Sequence, residues 1–176
     1  MKVNNYLEND RLKLRALEPC DIDILYTWEN TSNEWWISET RVPFSKYILT
    51  KYIENSHLDI YSIKQLRLMI DLKLKNVSVG CIDLFDFDPY NLRAGLGILI
   101  AKEFRKMNIG YEAIEIVKKY CSDVLLLHQL YCSIPVNNTS SLALFKKAGF
   151  IITGTKKAWL RSKNEMIDEF FLQYIF

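Results

Sequence analysis

The sequence predicts a single α/β domain built on one mixed, mostly antiparallel sheet with helices packed against it. Three observations carry this. Leu66 to Ala101 holds three apolar segments separated by short polar turns, the pattern of an antiparallel meander. A helix beginning near Ile109 is followed by a further strand from His128, and a return by way of a helix implies a parallel crossover. Phe150 to Trp159 and Met166 to Phe176 are two more strand candidates around the turn Arg161 to Asn164, a hairpin that closes one sheet edge.

A chain of 176 residues suits one domain spanning positions 1 to 176. The mix of 49% hydrophobic and 25% charged residues excludes disorder and coiled coil. A net charge of +2, with Lys and Arg scattered among acidic neighbours, argues against a nucleic-acid partner. The 10 Tyr and 4 Trp suit a ligand cleft or a self-association face, and large core side chains account for them equally well. Cys20, Cys81, Cys121 and Cys132 show no metal-binding or redox spacing, so all four are expected as buried thiols in a reducing compartment. The polar start of the chain, and the lack of an apolar run of about 18 residues, point to the cytoplasm with no membrane span.

Along the chain, Arg11 to Ala16 alternates, with Leu12, Leu14 and Ala16 on one covered face. Pro19 suits the first turn of a helix whose Ile22, Leu25 and Tyr26 recur at helical spacing and which ends between Asn30 and Asn33. Glu34-Trp35-Trp36 follows, either a lid on the core or a wall of a substrate cleft. Pro43 to Asn55 predicts a second helix, and His57 sits in a polar stretch as a surface residue. Leu66 to Leu72, Val77 to Phe87 and Arg93 to Ala101 are the meander strands, Gly80 marking a bulge or a close approach. Ile109, Ala113, Ile116, Val117 and Tyr120 form the buried stripe of the next helix. After the strand from His128 to Ile134, Asn137 to Ser141 offers capping side chains for an amphipathic helix that Gly149 terminates.

The junction between the strand ending at Ala101 and the helix from Ile109 is a candidate anion site. Amides at a helix start lack intrahelical acceptors, the peptide dipoles favour negative charge, and Arg105 and Lys106 add cations. A solvated surface loop is the competing account.

Three segments together resemble the GCN5-related N-acetyltransferase superfamily, in its branch of ribosomal-protein alanine and spermidine acetyltransferases. They are Leu12-Lys-Leu-Arg-Ala-Leu-Glu-Pro19, Arg105-Lys-Met-Asn-Ile-Gly-Tyr-Glu-Ala113, and Val136-Asn-Asn138-Thr-Ser-Ser141 running to Lys147-Ala-Gly-Phe150. The resemblance implies a sheet splayed at its parallel strand pair, helices on both faces, and acetyl-coenzyme A bound in the gap. Its acetyl group would pass to an amine: a protein N-terminus, a polyamine or another small amine.

It further implies that the amides of Arg105, Lys106, Met107, Asn108, Ile109, Gly110 and Tyr111 hold the pyrophosphate. Asn108 stands where the motif has its first glycine, and asparagine tolerates a positive φ better than most residues. Ile98, Leu99 and Ile100 would pair with the pantetheine arm, with Leu99 near the thioester. Asn138 and Ser141 match positions that support the arm, and N-terminal capping is their alternative role.

Acetyl transfer needs a neutral amine, a polarised thioester and a proton for the leaving thiolate. The tyrosine that often gives that proton is Phe145 in this chain, and the strand glutamate of many relatives falls in the register of Gly95. Asp83 and Glu34 are the substitute bases, and Tyr131 and Tyr111 are phenols near the cofactor, each with packing or solvation as the other account. The absences keep open a non-catalytic acyl-coenzyme A-binding or regulatory protein on the same fold. A homodimer is a possible assembly.

Overall fold

A computed structural model describes residues 5–31, 42–56, 58–162 and 165–176. The elements run β1 (Leu12–Ala16), α1 (Ile22–Glu29), α2 (Lys46–Asn55), α3 (Ile60–Ile63), β2 (Leu66–Leu72), β3 (Val77–Asp88), β4 (Arg93–Ile100), α4 (Ile109–Asp123), β5 (Gln129–Pro135), α5 (Thr139–Lys147), β6 (Ile151–Ser162) and β7 (Glu165–Ile175). Seven strands form one sheet in the order β1-β2-β3-β4-β5-β7-β6, antiparallel throughout except for β4 beside β5. The meander, the crossover and the edge hairpin expected from the sequence are all present.

Strand alternation sorts the apolar residues onto two faces. Leu68, Ile70 and Leu72 of β2 join Ile109, Ala113, Val117 and Leu142 in a core under α4 and α5. Met69 and Cys81 point the other way, to Leu25, Leu49 and Ile53 of α1 and α2. Helices therefore cover both faces. The α4 stripe is broader than expected, with Ile114 and Cys121 also buried, while Tyr120 is only partly covered. Caps follow the local sequence: Ser45 accepts from the Ile48 amide (3.2 Å), and Gly149 adopts φ 90° just beyond α5.

Two expectations are corrected. Ala16 is exposed, because the buried side chain at the end of β1 is Leu17, which packs with α1 and α2 instead. Cys20 is exposed rather than buried, lying in a 3-10 turn (Pro19–Asp21) in which Asp21 is the buried side chain. Burial pushes the thiols of Cys81, Cys121 and Cys132 up to about 12, as expected of inert core cysteines. The helix α3 was not foreseen, since four residues are too few to show a periodicity. Glu34, Trp35, Trp36 and His57 lie outside the described residues.

Asp21 anchors the first strand. Its carboxylate accepts from Arg15 Nη1 (2.7 Å) and Nη2 (2.8 Å) and from the Glu18 amide (2.9 Å), and Arg15 also reaches Asp71 (2.7 Å). Burial raises the Asp21 pKa, but the Arg15 hydrogen bonds and charge and the Glu18 amide outweigh it and hold the carboxyl below its usual value. A depressed carboxylate contributes stability above the unfolded value, and that contribution is lost as pH falls through the native one. Asp21→Asn is expected to cost about 2 kcal/mol at pH 7, with the gap to wild type narrowing toward pH 3. Urea midpoints at both pH values check this; a constant gap would count against the charge pairing.

Candidate active site

The strands β4 and β5 pair only at Arg93–Gln129, Ala94–Leu130 and Gly95–Tyr131. Beyond that point β4 continues to Ile100 and β5 to Pro135 with no pairing between them. The result is a wedge in the middle of the sheet. It opens into a cleft of about 1350 Å³ lined from both faces, by Ile98, Leu144 and Phe145 on one side and Cys81 and Leu99 on the other.

One end of the cleft is the turn before α4. Lys106 and Asn108 both adopt left-handed conformations, φ 61° and 63°, flanking Met107. Such turns gather successive amides into an anion-binding concavity. The Glu112 amide is the first in α4 to close on a backbone carbonyl, that of Asn108 (3.1 Å). Ile109, Gly110 and Tyr111 thus contribute helix-start amides with no backbone acceptor among the described residues, and the Asn108 side chain does not cap them. Asn108 takes the positive φ expected from its match to the motif's first glycine. The positive φ of Lys106 is unexpected and is held from outside: Arg11 Nη1 donates to the Met107 carbonyl (2.9 Å) and to Glu112 (2.7 Å).

Arg105, Lys106, Asn108, Ile109, Gly110 and Tyr111 all line the cleft, whereas Met107 does not. Arg105 folds back to donate from Nε to the Ile100 carbonyl (2.8 Å). A cation absent from the sequence reading completes this end. Lys147, at the end of α5, donates to Asn108 Oδ1 (2.7 Å) and lies 4.5 Å from the Tyr111 ring centroid. Only the packing of α5 beside α4 brings it there.

The middle of the cleft follows the unpaired stretch of β4. Ile98, Leu99 and Ile100 line it together with Asn138 and Ser141 at the start of α5. Asn138 Oδ1 accepts from the Ser141 amide (3.3 Å), so the capping role is real, and it sets both residues at the cleft wall.

On the face covered by α1 and α2, the cleft widens into a chamber with charged and aromatic walls. Asp83 is there, paired through both oxygens with Arg67 Nε (2.6 Å) and Nη2 (3.0 Å). Arg67 also donates to Glu29 and lies 5.4 Å from the Tyr52 ring centroid. Burial alone would lower the Arg67 pKa, but the Asp83 charge outweighs it and keeps the guanidinium ionised. Arg67 thus bridges Asp83 on β3 and Glu29 on α1. Sequence reading found Asp83 but neither partner, because nothing local announces a strand-to-strand ion pair.

The two missing groups have structural explanations. A Cβ on Gly95 would lie 2.2 Å from Phe85 Cε2, so the phenyl ring occupies the space a side chain there would need. Phe145 is 3% exposed and packs edge-on against Phe150, ring centroids 5.1 Å apart. Tyr131 stands at the apex of the wedge, its ring 5.5 Å from that of Phe171. Burial and then the neighbouring Asp86 charge raise its pKa, so its phenol keeps its proton at neutral pH. Farther along the same wall Lys156 bridges Glu169 (2.8 Å) and Ser133 (2.9 Å) beside Trp159. Among the described residues no cluster of His, Cys, Asp and Glu could hold a metal ion, and no helix is long and apolar enough to cross a membrane.

Residues 11–151 match the sequence profile of the acetyltransferase (GNAT) domain family. The chain is 25% identical over 166 residues to a spermidine N(1)-acetyltransferase of Vibrio cholerae, covering 93% of this chain and 87% of that protein. A crystal structure of spermidine N-acetyltransferase from Vibrio cholerae in complex with CoA and spermine superposes with a TM-score of 0.83 at 21% identity, over 95% of this chain and 96% of that one. A dodecameric structure of spermidine N-acetyltransferase from the same organism gives 0.78 at 22% identity, over 95% of each chain. These superpositions establish the fold.

Proposed function

Because this chain belongs to the acetyltransferase (GNAT) domain family, we propose that it transfers the acetyl group of acetyl-coenzyme A to a primary amine. The observation that carries the reading is the wedge between β4 and β5, open along its length, with uncapped helix-start amides at one end and a charged chamber across the sheet. The residues present fit the cofactor. The amides from Lys106 to Tyr111, which have no backbone acceptor among the described residues, suit a diphosphate, and Arg105, Lys106 and Lys147 supply compensating charge.

An unpaired strand edge at Ile98 to Ile100 suits an extended amide-bearing arm, which it can hold as a further strand would. Asn138 and Ser141 border that arm, and the Ile100 amide, which points away from β3, is the one that can polarise a carbonyl there. Acetyl-coenzyme A supplies the activated acyl group. Asp83, held by Arg67 at the chamber wall, is the group that accepts the amine's proton through water. Tyr131 remains a protonated donor at the wedge apex, where the leaving sulfur needs one.

Calorimetry with acetyl-coenzyme A and thiol release over a panel of amines test this. The panel comprises spermidine, tyramine and an unblocked alanine tripeptide. Binding in the micromolar range with turnover of at least one amine is expected; no binding at millimolar cofactor would overturn the reading. Lys147→Ala is expected to weaken cofactor binding by about fivefold to tenfold at low salt, and by less in 0.5 M salt because screening suppresses the charge contribution. The Vibrio cholerae relative is dodecameric. Self-association of this chain, whether as a dimer or a larger ring, is read by light scattering.

A further inference from the structure

Asp86 has no place in the account so far, although it lines the cleft. It sits in a bulge of β3, where the pairing steps from Phe85–Gly95 to Asp88–Arg93, two residues facing one. Its backbone is left-handed, φ 48°. Bulges of this kind re-aim a side chain, and here the Asp86 carboxylate faces across the sheet to the Tyr131 hydroxyl, which donates to Oδ2 over a long 3.4 Å.

The other carboxylates of the chamber already have cations. Asp83 and Glu29 hold Arg67, and Glu169 holds Lys156. Neighbouring Asp88 holds Arg93 (3.2 Å). Asp86 has no cationic partner among the described residues; what it faces is a phenol. Asp86 is solvent-exposed, and around it stand the rings of Phe85 and Tyr131, 6.1 Å apart, with Phe171 beyond, surfaces that favour a cation on their faces. No side chain from β4 competes for the space, because the neighbouring position is Gly95.

We propose that Asp86 is the group that seats the ammonium of the acceptor, with Tyr131 as its positioning partner at the apex of the wedge. This rests on the acetyl-transfer reading above. An arriving ammonium gains most at a carboxylate that no built-in cation has neutralised. An amine held there lies beside the point where β4 and β5 part.

Asp86→Asn is the discriminating variant, since asparagine has the same shape, tolerates the left-handed backbone and removes only the charge. Wild type and variant, each saturated with coenzyme A, are titrated calorimetrically with spermidine, tyramine and the alanine tripeptide. The tightest-binding amine is expected to lose at least about tenfold in affinity in the variant, while coenzyme A affinity stays within twofold. In steady state the loss falls on the amine KM, not on the acetyl-coenzyme A KM, and Asp86→Glu recovers part of it. A structural role alone would move thermal stability and both KM values together. Amine affinity unchanged within twofold overturns the proposal, as does failure of every panel amine to bind wild type that does bind coenzyme A. Failure to bind coenzyme A at all instead overturns the acetyl-transfer reading.

Discussion

Ser141→Trp is expected to abolish coenzyme A binding, weakening it at least about a hundredfold, in a protein that still folds. Ser141 sits in the first turn of α5, half-buried, on the wall of the gap through which the pantetheine arm would run. The indole fills that gap, whereas the contact Ser141 makes within its helix comes from its backbone amide and survives the change. Ala143→Trp supplies the control: it lies in the same helix, is exposed and does not line the cleft. Circular dichroism and calorimetry on both variants settle the matter. Near-native cofactor affinity in a folded Ser141→Trp protein would move the arm's route elsewhere.

Gly80→Ala is expected to cost about 3 kcal/mol, roughly 8 °C in Tm for a chain of this size. A Cβ at Gly80 would lie 2.1 Å from the Leu99 carbonyl oxygen and 3.1 Å from Ile100 Cα. Both are backbone atoms of the neighbouring strand, so no side chain can swing aside and β3 and β4 must separate. Because the displaced strand is the one lining the gap, cofactor affinity falls with stability. Gly97→Ala is the comparison, since its Cβ would meet nothing nearer than 3.7 Å. Thermal melts of the two variants read the difference; equal melting temperatures would show that the strand pair yields easily.

Much of the site's frame was legible because its signals are local. An apolar period of two or of 3.6 residues, a proline before a helix and an asparagine ahead of Thr139 all act within about four residues of chain. The turn at Asn108 was legible by another route, its resemblance to a motif with glycine at that position, and its φ is 63°. Gly80 was expected at a bulge or a close approach, and both occur: the β2–β3 register shifts beside it and the Leu99 carbonyl lies against it. Less local matters were missed. Cys20 and Ala16 alternate or recur as core residues do, yet both are exposed, because burial depends on what packs opposite.

The sequence by itself therefore determined the sheet, its crossover and the turn before α4, whose causes are nearest-neighbour sterics and periodic burial. Only the tertiary structure decided which charges meet. Arg67 reaches Glu29 and Asp83, Lys147 reaches Asn108, and Asp86 is left facing Tyr131, across separations of 38, 16, 39 and 45 positions. Those pairings are set by strand register and helix packing, and a carboxylate's chemistry depends on whether a cation was folded against it.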